Sequence, residues 1–104
     1  MQLVFVSGCT WEFDVSLKNQ DGTEYVLEEG DKLSFCANKI VGSYPCSICI
    51  TQNSTHFKIP TDQTNIPEGT YYYDLFIIFE NGDKYPLFSQ ERLVVREEVC
   101  GDAT

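Results

Sequence analysis

Apolar and polar residues alternate with a period of two along most of this chain. No stretch of about ten or more positions shows the three-to-four spacing of an amphipathic helix. Trp11, Phe13, Val15 and Leu17 fall on one face, with Glu12, Asp14, Ser16 and Lys18 on the other. That is the pattern of a half-buried strand. Asn19-Gln20-Asp21-Gly22 turns the chain, and residues 23–27 return as the second arm of a hairpin. Glu28-Glu29-Gly30-Asp31 is the next turn, and Leu33 and Phe35 anchor the strand after it. Residues 38–45 hold Gly, Ser and Pro and read as an irregular loop. Residues 46–52 form a strand with Ile48 and Ile50 on one face. After Asn53-Ser54, residues 55–59 pair back against it with Phe57 and Ile59 inward. Pro60 ends that strand because proline offers a central ladder no donor.

Residues 61–69 are a polar connection. The strongest strand follows, over residues 70–80. Asn81-Gly82 then predicts a type I′ hairpin turn, which needs positive φ at both central positions. Residues 83–88 are its partner. Residues 92–99 make the last strand, with Leu93 and Val95 facing opposite to Val94. The pattern therefore predicts one domain over residues 1–99, with residues 100–104 as a frayed tail. About seven or eight short strands, with turns every 8–12 residues or so, describe an all-β antiparallel sandwich or small barrel. Gly69-Thr70-Tyr71-Tyr72-Tyr73 narrows the choice. Its spacing is that of a tyrosine corner, in which a tyrosine at the start of a late strand bonds back to the preceding loop. Tyr71 is that residue in an immunoglobulin-like sandwich.

The strand over residues 70–80 is apolar on both sides. Tyr71, Tyr73, Leu75, Ile77 and Phe79 lie on one, and Tyr72, Phe76 and Ile78 on the other, broken only by Asp74. A two-layer sandwich buries one face of each sheet and wets the other. The second face is covered either by a loop of the same domain or by another subunit, since interfaces are enriched in aromatics. Tyr72, Phe76 and Ile78 are the interface candidates.

Charge and chemistry restrict the function. The 104 residues carry 16 Asp and Glu against 7 Lys and Arg, a net charge of −9, and the bases are scattered singly. Phosphate neutralisation needs clustered bases, so no nucleic-acid partner is expected. The apolar runs are too short for a membrane span. No nucleophile elbow, Gly-rich phosphate loop or calcium loop occurs, so no catalytic residues and no cofactor are expected. The first residues lack the basic region of a signal peptide. Five cysteines, Cys9, Cys36, Cys46, Cys49 and Cys100, cannot all pair within one chain, and free thiols in a reducing compartment are the expected state. Cys46-Ser47-Ile48-Cys49 has zinc-ligand spacing, with Cys9, Cys36, Cys100 and His56 able in principle to complete a site, Cys36 and His56 being the candidates kept. Residues three apart on a strand point to opposite faces, however, so chelation needs a tight turn there. The expectation is no metal.

The second half also carries a family pattern. Ile59-Pro60, Thr64, Ile66-Pro67-Glu68-Gly69-Thr70-Tyr71-Tyr72-Tyr73-Asp74-Leu75, the hairpin at Asn81-Gly82 and the closing Leu93-Val94-Val95-Arg96-Glu97-Glu98-Val99 resemble a pattern of small phage and prophage proteins. Trp11–Lys18 and residues 21–27 are similar to its opening hairpin. Over roughly residues 5–99 the chain resembles the immunoglobulin-like N-terminal module of phage baseplate upper proteins. The resemblance implies a non-enzymatic assembly domain of a virion tail, baseplate or neck, made in a bacterial cytoplasm. Its partners would be copies of itself and other virion proteins. The five cysteines depart from the pattern. Two other classes stay open: a carbohydrate- or protein-binding sandwich, and a small zinc-stabilised regulator.

Overall fold

The computed structural model describes residues 2–42 and 45–98. Among them seven strands and one helical turn follow in the order β1 (Leu3–Val6), β2 (Trp11–Asp14), β3 (Lys32–Asn38), β4 (Ile48–Gln52), β5 (His56–Ile59), α1 (Thr61–Thr64), β6 (Gly69–Ile78) and β7 (Lys84–Arg96). They make two layers: a five-stranded sheet in the order β1-β7-β6-β3-β4 and a two-stranded sheet, β2-β5. The run β7-β6-β3-β4 corresponds to strands G, F, C and C′ of a variable-type immunoglobulin sandwich, and β2 and β5 to B and E. The fold is an all-β, immunoglobulin-like sandwich.

Alternation along each strand builds the core. Trp11, Leu33, Phe35, Ala37, Phe57, Ile59, Tyr71, Tyr73, Leu75, Leu93 and Val95 are buried between the layers. Aromatic rings bridge them: Phe13 of β2 lies 5.3 Å from Phe35 of β3, and Phe35 lies 5.3 Å from Tyr73 of β6. Each fully buried side chain of this size contributes about 1.5–3 kcal/mol. The polar tips are satisfied. Trp11 Nε1 donates to the Val6 carbonyl at 2.8 Å, and Tyr71 Oη donates to the Pro67 carbonyl at 2.7 Å. The second bond is the tyrosine corner expected from the Gly69–Tyr73 spacing.

Several expectations need correction. The sandwich is not wholly antiparallel, because β1 runs parallel to β7 with Leu3 opposite Leu93. A parallel neighbour cannot be reached by a tight turn, and here the whole fold is the connection. Residues 55–59 do not pair back on β4. β5 crosses to the other layer and pairs with β2, Trp11 opposite Ile59. The return arm over residues 23–27 shrinks to a single bridge, Lys18 to Glu24. Residues 61–64, read as part of a polar connection, close one helical turn, with Thr64 Oγ1 donating to the Cys9 carbonyl at 2.6 Å. The two final strands are one continuous β7 that bulges at its middle.

The turn at Asn81-Gly82 also differs from expectation. Gly82 has φ 95°, but Asn81 is not among the residues with positive φ. Phe79 N–H donates to Asp83 O at 2.8 Å and Gly82 N–H to Phe79 O at 2.9 Å. This is a three-residue loop with glycine in the left-handed position, not a type I′ turn. The Asn19–Thr23 turn repeats it, with Gly22 at φ 89°. The end of the last strand at Val99 and the tail 100–104 lie outside the described residues.

Candidate functional site

The inward residues of the five-stranded sheet meet β2 and β5, and no described strand covers its outer face. The register places Tyr72, Phe76 and Ile78 of β6 on that face, as expected. Lys32, Ser34, Cys36 and Asn38 of β3 lie on one flank, and Lys84, Pro86 and Arg92 of β7 on the other. Thr70 stands beside Val94, and Val4 of β1 beside Val94 in turn. Tyr72 is 39% exposed and Val4 47%, whereas Phe76 and Ile78 are half-buried. Phe76 owes its partial cover to its own chain: Lys84 Nζ sits 4.4 Å from the ring centroid. Val41, 52% exposed on the loop after β3, extends the apolar surface next to Tyr72. Nothing in the alternation of residues 39–42 marked Val41, because its position depends on how the loop folds over the sheet.

Folding also gathers the cations. Lys32, Lys84, Arg92 and Arg96 point outward from this sheet, four of the chain's 7 Lys and Arg, although they are scattered singly in sequence. None has a carboxylate within salt-bridge distance among the described residues. The one acid at an outward strand position of β6 or β3 is Asp74, and it is already engaged. Its Oδ1 accepts the Gln90 N–H at 2.8 Å. Gln90 has φ 53°, left-handed for a non-glycine residue, at the β7 bulge. Asp74 thus interrupts the apolar face in order to hold a bulge.

Two of the concavities on the described surface border residues already singled out. A groove of about 280 Å³ on the outer face is lined by Cys36, Asn38, Val41, Cys46, Tyr72 and Asp74. The other, about 420 Å³, lies between the turn region 16–25 and the β6–β7 hairpin. Leu17, Tyr25, Ile77, Phe79, Tyr85 and Leu87 form its apolar walls. It exists because β2 and β5 are too short to cover the far end of the hairpin, leaving Tyr85 53% exposed on the inward side beside Ile77. Its rim is tied by Tyr25, whose hydroxyl donates to Asp31 Oδ2 at 2.5 Å. That bond, with burial, pushes the Tyr25 phenol up to about 12. Asp31 is itself buried and also accepts the Glu28 N–H.

The metal candidates do not converge. Cys36 and Cys49 stand opposite each other on β3 and β4 and are joined by a disulfide, with Cα atoms 4.1 Å apart. This overturns the expectation of free thiols for both residues, and as a disulfide they offer no thiolate to zinc. Cys46 is a free, exposed thiol on the loop, and Cys9 is also free. His56 is on β5 in the other layer, where Nδ1 meets Asp14 Oδ1 at 2.8 Å and Nε2 meets Glu12 Oε2 at 3.2 Å. The hydrogen bond to Asp14 raises its pKa, with the charge of both acids adding to the effect. Among the described residues no three His, Cys, Asp or Glu side chains gather as a metal site. No described helix is long and apolar enough to cross a membrane.

No protein-family model matches this sequence, and no curated protein matches it.

Proposed function

We propose that this chain is a non-enzymatic assembly domain of a bacteriophage or prophage particle, in its tail, baseplate or neck. It acts by packing the outer face of its five-stranded sheet against other virion proteins or further copies of itself. The observation that carries the reading is the composition of that face. Tyr72, Phe76, Ile78, Val4 and Val41 are interleaved with Lys32, Lys84, Arg92 and Arg96 on a chain of net charge −9. Apolar residues with aromatic and arginine anchors are what protein interfaces favour, and the local positive charge selects an acidic partner surface. The resemblance of residues 5–99 to phage baseplate modules supplies the biological setting. Peptide mass spectrometry of purified particles from the source strain tests that setting: many copies per particle are expected, and absence from the particle refutes it. Phe76→Ser tests the surface. The variant is expected to stay folded by circular dichroism and to lose association with its particle partner. Unfolding would make Phe76 a core residue and remove the interface.

The cleft lined by Tyr25, Phe79, Tyr85 and Leu87 favours a second reading, a sandwich that binds a ligand, carbohydrate included, against the exposed Tyr85 ring and its half-buried aromatic neighbours. Oligosaccharide titration followed by Tyr85 line shifts in NMR spectra would establish it, and unmoved lines would exclude it.

A further inference from the structure

Three cysteines lie at or beside the outer face of the sheet, two of them bridged and one free. Cys36 and Cys49 form a bridge across the β3–β4 ladder, 13 residues apart in sequence. Cys46 is a free thiol on the connection that the bridge closes. Two hydrogen bonds hold residues 45–47 against β3: Ser47 N–H donates to the Ala37 carbonyl at 3.0 Å, and the Asn38 side-chain Nδ2 donates to the Pro45 carbonyl at 3.4 Å. The result is that Cys46 and Cys36 line the same groove, open to water beside Tyr72 and Asp74. Cys49 is exposed on β4, the edge strand of the sheet.

We propose that Cys46, Cys36 and Cys49 form a thiol–disulfide exchange site. The Cys46 thiol gives its proton to water, and its thiolate attacks Sγ of Cys36. The Cys46–Cys36 bond forms as the Cys36–Cys49 bond breaks. The electron pair of the broken bond leaves on Sγ of Cys49, which takes up a proton. One disulfide and one thiol are present before and after, so the step needs no outside oxidant or reductant. Its product is a thiol on the exposed edge strand, open to small disulfides of the glutathione class. The site does not depend on the phage reading, because it rests only on the groove that Cys46 and Cys36 share and on the Cys36–Cys49 bridge.

Disulfide mapping of the full chain, purified without reductant, tests this. Samples held at pH 6 and at about pH 8.5, where a free thiol is half ionised, are acid-quenched, labelled with N-ethylmaleimide and digested. At the lower pH the label is expected on Cys46, with a Cys36–Cys49 linked peptide. At the higher pH label should appear on Cys49 together with a Cys36–Cys46 link, at a rate independent of protein concentration. In Cys46→Ser, Cys49 should stay unlabelled at both pH values, while Cys9→Ser should exchange as the parent does. Added glutathione disulfide should then modify Cys49 in the parent and not in Cys46→Ser. The proposal is overturned if label never reaches Cys49 in the parent. Equal labelling of Cys49 in Cys46→Ser, or Cys36 and Cys49 both labelled at the outset, would also overturn it.

Discussion

The two faces of β6 are made from similar residues and do different work. Tyr71, Tyr73, Leu75 and Ile77 point inward and are at most 6% exposed, whereas Tyr72 on the opposite face is 39% exposed. Consecutive tyrosines therefore have unlike roles. Tyr71 donates to the Pro67 carbonyl and fixes the strand to its preceding loop, and burial pushes its phenol pKa up. Tyr72 lies beside Arg92 and faces water. Apolarity alone does not separate core from docking surface. What separates them is the opposite layer, which β2 and β5 supply on one side only.

The sharpest way to break the contrast is to hollow the inner face. Phe35→Ala removes a ring that touches Phe13, Phe57 and Tyr73, and should cost about 3–5 kcal/mol in urea unfolding. A loss below about 1 kcal/mol would mean the layers are not packed as described. A milder test compares neighbours. Tyr71→Phe should lose about 0.5–1.5 kcal/mol, the net worth of one hydrogen bond. Tyr72→Phe should stay within about 0.5 kcal/mol of the parent. Equal losses would erase the distinction between the faces. Next in size, Gln90→Gly should relieve the left-handed backbone at the β7 bulge. It should stabilise the protein by up to about 1 kcal/mol, read from the same transition.

The smallest effect is one of pH. The Tyr25 phenol is raised from 10.0 to about 12 in the folded protein, chiefly by its bond to Asp31. A group raised on folding stabilises fully below its unfolded pKa and loses that contribution as pH climbs through the folded value. Stability should therefore fall between pH 10 and about 12, and Tyr25→Phe should flatten that fall. An unchanged alkaline profile in the variant would assign the fall to another group.

How much of this was legible in the sequence depended on the range of each interaction. The tyrosine corner could be read because donor and acceptor are 4 residues apart. The two-faced character of β6 could be read because alternation is local. β1 went unread because 4 apolar residues gain strand identity only from β7, at the far end of the chain. Asn53-Ser54 imitated a hairpin turn, yet Asn53 Nδ2 donates to the carbonyls of Glu28 and Asp31, serving another loop while the chain changes layers. The Cys36–Cys49 bridge and the cationic patch both depend on strand register. Four bases separated along the chain come to share one face of the sheet only when β1, β3, β6 and β7 lie side by side.

The parallel pairing of β1 with β7 has a consequence in time. Leu3 meets Leu93, so the outermost strand of the sheet cannot dock until the last strand has emerged from the ribosome. Until then the inner face of β1, with Leu3 and Phe5, has no strand to join. Pairings this distant in sequence slow folding, because loop closure comes before the contacts that reward it. Synthesis of nearly the whole domain is thus the step that releases folding, and a ribosome stalled before residue 93 would hold a chain whose β1 has no strand to pair with.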